Sequence, residues 1–237
     1  MAHEEGPCSR GDELLADELR YRKGIYTLLA RVFCREMDDA AWKAVSSLAN
    51  ELSSAAVPPV SDSSPATAGE ELPESSIARG CALVASDLAR PGLDRREIAA
   101  DYVNVFLGFG STLRGAYPYE SWYRTANRTL MAEPRAEMAR ILKREGLSPV
   151  DVDLSPEDHI STELSLLAYY ADAALCALET GDESALAQHR ARYREFCRAH
   201  PAQWVGCWCA EALSLARTDF YRGFVLIAQG MMALDTP

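Results

Sequence analysis

Ser155-Pro156-Glu157-Asp158-His159, followed one helical turn later by Glu163, is the densest run of chemically versatile side chains in the chain. Carboxylates and an imidazole at this spacing can meet a guanidinium or share hydrogen bonds with a polar ligand. They also have a complete structural role. Ser155 is a good helix N-cap, Pro156 suits the first helical position, and Asp158 falls where a capping-box acid reaches back. Glu157 and Asp158 favour the positive end of a helix dipole, and His159 and Glu163 are spaced to pair on a helix surface. Both readings stand on the sequence: a capped helix start, or Asp158 and His159 at the lip of a groove.

A second constellation is Cys197, His200, Cys207 and Cys209. Zinc accepts thiolate and imidazole, so a Cys/His metal-binding helical protein is one alternative. No CxxC pair is matched by a second at finger spacing, and Cys207 and Cys209 sit in an apolar helical pattern where i and i+2 side chains diverge. Packed thiols are therefore expected, and no metal. The histidines His3, His159, His189 and His200 fall in no HExxH pattern, and no Gly-x-Ser-x-Gly, P-loop or dinucleotide fingerprint occurs. No catalytic residue and no cofactor are expected, and the chain reads as a binding protein. Tyr102, Phe106, Tyr119, Trp122 and Tyr123 cluster near glycines. Tyr102 and Phe106 have core spacing, whereas Tyr117 to Trp122 reads as an extended loop that cannot bury every ring. Part of that loop is expected to line a surface for a segment carrying arginine and leucine.

The elements that must position these groups are helical. From about Asp12, Leu14, Leu15, Leu19, Ile25, Leu28, Leu29 and Val32 recur on one stripe, and Asp38 is placed to cap a second helix with Trp42, Val45 and Leu48. Further helices are expected from about Ser75 to Ala89, from Asp94 to Phe106, and from Glu133 to Glu145, where Gly146 ends the last. Beyond the acidic connector come Ile160–Leu178, Asp182–Ala199, Trp204–Ala216 and Phe220–Leu234. No sustained alternation bounded by hairpin turns is present. The expectation is an all-α bundle of roughly ten helices. It divides into a disordered lead over 1–10, an N-terminal helical part over 11–146, a hinge over 147–158 and a C-terminal helical part over 159–237. A flexible Ser/Pro-rich loop is expected over 53–76, where Pro58, Pro59, Pro65 and Pro73 remove helical hydrogen bonds.

The 237 residues are enough for a substantial core, and 24 Lys and Arg against 35 Asp and Glu leave a net charge of −11. Such a surface repels phosphate backbones and anionic lipid and attracts a basic partner, so nucleic acid is not expected to bind. Seven cysteines, an odd number spread through helical patterns, fit reduced thiols better than a disulfide framework. No signal-peptide pattern is visible, and apolar clusters such as Phe224 to Ala228 are too short to span a bilayer. A cytoplasmic location is expected, with a monomer and a domain-swapped dimer equally open.

Several blocks together resemble the TorD/DmsD family of cytoplasmic redox-enzyme maturation chaperones, with NarJ-like relatives. They are Asp101 to Gly108, with Val105 where the family has leucine; Pro118-Tyr119-Glu120-Ser121; and Met131 to Pro134 running on to Gly146-Leu147. Glu157-Asp158-His159-Ile160 with Glu163-Leu164 resembles the family's hinge signature, although Ser155-Pro156-Glu157 departs from the commoner Glu-Pro order. Phe196, His200, Trp204 and Phe220-Tyr221 complete the series, which covers residues 98 to 225. The resemblance implies a two-part helical fold that binds the twin-arginine signal peptide of a molybdopterin oxidoreductase and holds the precursor until its cofactor is inserted. It makes Asp158 and His159 the leading peptide-binding candidates, with Glu157 and Pro156 beside them and Tyr102, Glu120, Ser121 and Trp122 along the groove wall. An assembly chaperone of the NarJ type, acting on a non-exported subunit, is the alternative within the same resemblance.

Overall fold

The computed structural model describes residues 10–54, 72–109, 114–148 and 156–236. Most of the expected lead, of the Ser/Pro-rich loop and of the acidic hinge falls outside these residues. Ten α-helices run through the described residues: α1 (Arg10–Cys34), α2 (Asp39–Ser54), α3 (Pro73–Leu88), α4 (Arg95–Phe106), α5 (Glu120–Arg124), α6 (Glu133–Arg144), α7 (Ile160–Glu179), α8 (Glu183–Ala199), α9 (Val205–Leu215) and α10 (Asp219–Asp235). A single 3-10 turn, Pro201–Gln203, links α8 to α9. There is no strand among them, only one isolated antiparallel bridge between Tyr119 and His159. None of these helices is long and apolar enough to cross a membrane.

Local chemistry sets most of the boundaries. The Asp38 carboxylate accepts the Ala41 N–H at 2.7 Å to start α2, and Asp94 accepts Arg96 N–H to start α4. Pro73 stands at the first position of α3, where its missing N–H costs nothing, so helix begins inside the stretch expected to be loop. The opposite end of that stretch is helical too, since α2 runs through Ser54, and Arg10 of the expected lead belongs to α1. Gly146 and Gly181, at φ +69° and +70°, end α6 and α7 in the left-handed region that glycine enters without steric penalty.

The parts before and after the hinge share one core: α1 lies along α7, α7 along α8, and α3 along α10. At its centre Trp208 meets Phe33 edge-on at 5.0 Å and stacks with Phe106 at 5.9 Å, while Phe106 meets Tyr221 edge-on at 5.4 Å. Helices α1, α4, α9 and α10 thus converge on one ring cluster. Each ring contributes roughly 2–3 kcal/mol by leaving water, and the edge-on pairs add somewhat less.

Helices α3 and α10 approach backbone to backbone. A Cβ added at Gly223 would sit 2.5 Å from the Gly80 carbonyl oxygen and 2.6 Å from Val84 Cγ2. The start of α10 is fixed from below by Asp87, which accepts Phe220 N–H, and by Asp101, which accepts Thr218 N–H at 2.8 Å and its hydroxyl at 2.7 Å. Gly223→Ala should therefore force the pair apart and cost about 2 kcal/mol, read as a lower urea midpoint with an unchanged slope; an unaltered midpoint would contradict this packing.

Candidate functional site

The chain on either side of the hinge is held by a short backbone pairing. Glu120 N–H donates to the Asp158 carbonyl at 3.0 Å, and Ile160 N–H donates to the Pro118 carbonyl at 2.8 Å. The Asp158 side chain adds a third bond, accepting Ser121 N–H at 2.9 Å. This pairing holds His159 extended, so helix α7 begins at Ile160, as the expected Ile160–Leu178 bounds have it, and not at Pro156 as the capping pattern would have it. Its N-cap is His159, whose Nδ1 accepts Ser161 N–H at 3.1 Å; the expected capping by Pro156 and Asp158 does not occur, and Ser155 lies outside the described residues. Residues 156–158 form a turn closed by His159 N–H donating to the Pro156 carbonyl.

Behind the pairing lies a sealed polar cluster. Glu120 is fully buried and accepts from Arg124 and from His200 Nδ1, the latter at 3.0 Å. Glu163, equally buried, accepts Trp204 Nε1–H at 3.0 Å. Burial drives the Glu163 carboxyl well above the usual carboxylate range, and the charges of Glu120 and Asp158 push it further, so the site favours the protonated form of Glu163. His159 is neutral: burial holds its imidazole down at about 3. Because its Nδ1 accepts a backbone N–H, Ser161 Oγ, 2.7 Å away, donates to the same nitrogen, and the ring proton resides on Nε2. The Tyr119 ring packs edge-on against this imidazole at 4.9 Å.

The structure brings Asp158, His159, Glu120 and Ser121 together, but in the interior. Asp158 is 0% and His159 2% exposed, which corrects the expectation that they stand at the lip of a groove. The reason is the backbone pairing with Pro118 and Glu120, which turns both side chains toward the interior. Trp122 lies in the five-residue α5 and not in an extended loop; its half-buried ring packs edge-on with Tyr117 at 4.8 Å and lies under the Arg128 guanidinium. Tyr102 is a core residue whose hydroxyl donates to the Phe33 carbonyl. Pro156 and Glu157 are half-buried, and Glu157 is tied to Arg135, which draws its carboxyl below the ordinary range.

The hollow is one residue further on. A groove of about 400 Å³ runs between the end of α1, the end of α6 and the first turns of α7. Its walls are apolar at Ala30, Leu142, Leu147 and Leu166 and hydroxyl-bearing at Thr27, Ser148, Ser161, Thr162 and Ser165. A second hollow shares Leu142, Leu147 and Ser148 and reaches Glu157, and the groove with this neighbour is called the trough. Ser161 joins the buried cluster to this trough, since its hydroxyl donates to His159 and its side lines the groove. The α7 wall was missed in the sequence although a signal existed: Thr162, Ser165 and Tyr169 form the polar stripe of an otherwise apolar helix. The α1 wall carried no such signal, because α1 meets α7 only in the fold.

Of the cysteine–histidine constellation, Cys197 and Cys209 are buried, Cys207 is exposed and His200 serves Glu120. Among the described residues no group of three or more His, Cys, Asp or Glu side chains is placed to hold a metal ion.

Two comparisons bear on this arrangement. The model of the family described as nitrate reductase delta subunit matches residues 73–210, more than half of the chain, spanning α3 to α9 and the whole buried cluster. No curated protein matches.

The two buried groups give opposite pH dependences. The folded-state value of His159 is depressed, so its contribution is complete above the ordinary histidine value of 6.5 and is lost as pH falls toward about 3. That of Glu163 is raised, so its contribution is complete below about 4.5 and is lost as pH rises through its elevated value. His159→Asn, which keeps a good N-cap, should flatten the acid side of the stability curve by a few kcal/mol between pH 6.5 and 4. Glu163→Gln should match or exceed the parent at pH 8, because an amide can accept from Trp204 without needing the proton. Urea unfolding across pH measures both; an unchanged acid slope in the first variant, or a collapse of the second at pH 8, would refute the assignment.

Proposed function

The chain belongs to the nitrate reductase delta subunit family, the NarJ-like maturation chaperones of redox enzymes, and from that premise we propose that it holds an N-terminal segment of a molybdopterin oxidoreductase in the trough between α1, α6 and α7. The observation that carries this reading is the composition of the trough. Alternating apolar and hydroxyl-bearing walls suit a peptide whose backbone needs hydrogen-bond partners and whose side chains are apolar. The neutral His159 and the clasp around Asp158 act behind it, setting where Ser161 and the start of α7 stand. Glu120 and Ser121 belong to the clasp beneath that wall, Glu157 lines the second hollow, and Pro156, Trp122 and Tyr102 stand outside both linings.

The client segment is a twin-arginine signal peptide, bound in the cytoplasm and released once the precursor carries its cofactor. The net charge of −11 supports a basic cargo, and the apolar stretch behind the arginines matches the walls. The protein contributes binding and timing to its client and no chemical step. A second reading has its own support: at the trough Arg31 and Arg35 balance Glu36 and Asp38, so a non-exported subunit whose segment lacks paired arginines would also fit.

Ser165 is exposed on α7 and lines the groove, so Ser165→Trp fills it without touching the core. Calorimetric titration with the client's N-terminal peptide should show at least about a tenfold loss of affinity in this variant, at an unchanged melting temperature. Equal affinity would exclude the trough as the docking site. Replacing both arginines of the peptide by glutamine separates the readings: a large loss supports the signal peptide, no loss the non-exported subunit.

A further inference from the structure

The α1 end of the trough carries one acid with work still to do. Asp38 is saturated: it accepts Ala41 N–H at 2.7 Å and meets Arg31 at 3.3 Å and Arg35 at 3.2 Å. Glu36, two residues earlier in the turn between α1 and α2, lines the same groove, is exposed and has no ion-pair partner among the described residues. We propose that Glu36 is the cation-receiving position of the trough, taking one arginine side chain that precedes the apolar part of the docked segment. This rests on the peptide-docking reading above and adds a specificity residue to it.

Three features favour a guanidinium at this point. Glu36 follows directly on the last turn of α1, whose terminal carbonyls lack intrahelical partners and whose dipole end favours a cation. A carboxylate beside carbonyl oxygens offers several acceptors, which the five-donor planar fork of arginine matches better than the point charge of lysine. The wall behind is apolar and buried: Tyr102 and Tyr221 are 4% and 0% exposed. Both phenols are raised, mainly by burial, with a further contribution from the charge of Glu36. The charge of Glu36 therefore reaches the buried rings beside the groove. The neighbouring cations Arg31 and Arg35 are both drawn toward Asp38, at 3.3 and 3.2 Å, so they turn to that carboxylate and not to Glu36.

The test uses the full chain and two synthetic peptides, one with an arginine pair followed by a leucine-rich run, the other with citrulline in place of both arginines. Citrulline keeps the shape and removes the charge. Glu36→Gln should weaken the arginine peptide by about three- to tenfold and leave the citrulline peptide unaffected, with the same melting temperature as the parent. Raising salt should shrink the difference between the two peptides in the parent and not in the variant. Equal loss for both peptides, or no loss for either while Ser165→Trp still abolishes binding, overturns the role of Glu36 and leaves the trough standing. If Ser165→Trp is also without effect, or the parent binds neither peptide, the docking reading falls together with this one.

Discussion

The pairing of Pro118 and Glu120 with Asp158 and Ile160 is the constraint from which the rest of the site follows. Two backbone hydrogen bonds and the Asp158–Ser121 bond fasten the segment before α5 to the segment before α7, about forty residues away along the chain. Helix α7 cannot begin until that pairing ends, so His159 becomes its cap and Ser161, whose hydroxyl turns in to His159, stands in its first turn beside the groove. The position of the groove wall is thereby set by a contact that lies wholly beneath it.

Such a clasp is only stable because the charges it buries are managed. Glu120 has Arg124 and His200, Asp158 has the Ser121 amide, and Glu163, whose carboxyl burial pushes upward, accepts from Trp204. An unpaired ion in this place would cost several kcal/mol. The partners come from α5, from the end of α8 and from the turn before α9, so satisfying the acids also fixes those elements relative to α7. A polar cluster of this kind contributes less to net stability than to a unique arrangement of the helices around it.

The trough is the open counterpart of this closed cluster. Its floor and walls come from the C-terminal turns of α1 and α6 and the N-terminal turns of α7, three places where helices end and side chains no longer face a packed neighbour. Helix ends also expose carbonyls and fixed dipoles, so a surface built there combines apolar area with directional acceptors. That combination is what the docking role proposed above calls for, since it joins apolar contact to directional hydrogen bonding.

Much was legible in the residues themselves. The all-α class, the number of helices, the caps at Asp38 and Asp94 and the stops at Gly146 and Gly181 follow from local rules, because each is decided by neighbours within a turn. The succession of blocks from Asp101 to Tyr221 was also enough to indicate the family later matched over 73–210. What the residues could not reveal is which way Asp158 and His159 face. Their capping pattern is locally sound, and it gives way only because Pro118 and Glu120 arrive from elsewhere in the chain and claim the same backbone groups. The same holds for Glu36 and Ser165, an unremarkable acid after one helix and a serine on the polar stripe of another, which share a groove only once α1 lies along α7. Short-range hydrogen bonding and periodicity are written in sequence order, whereas burial, accessibility and the facing of a surface depend on contacts between distant segments.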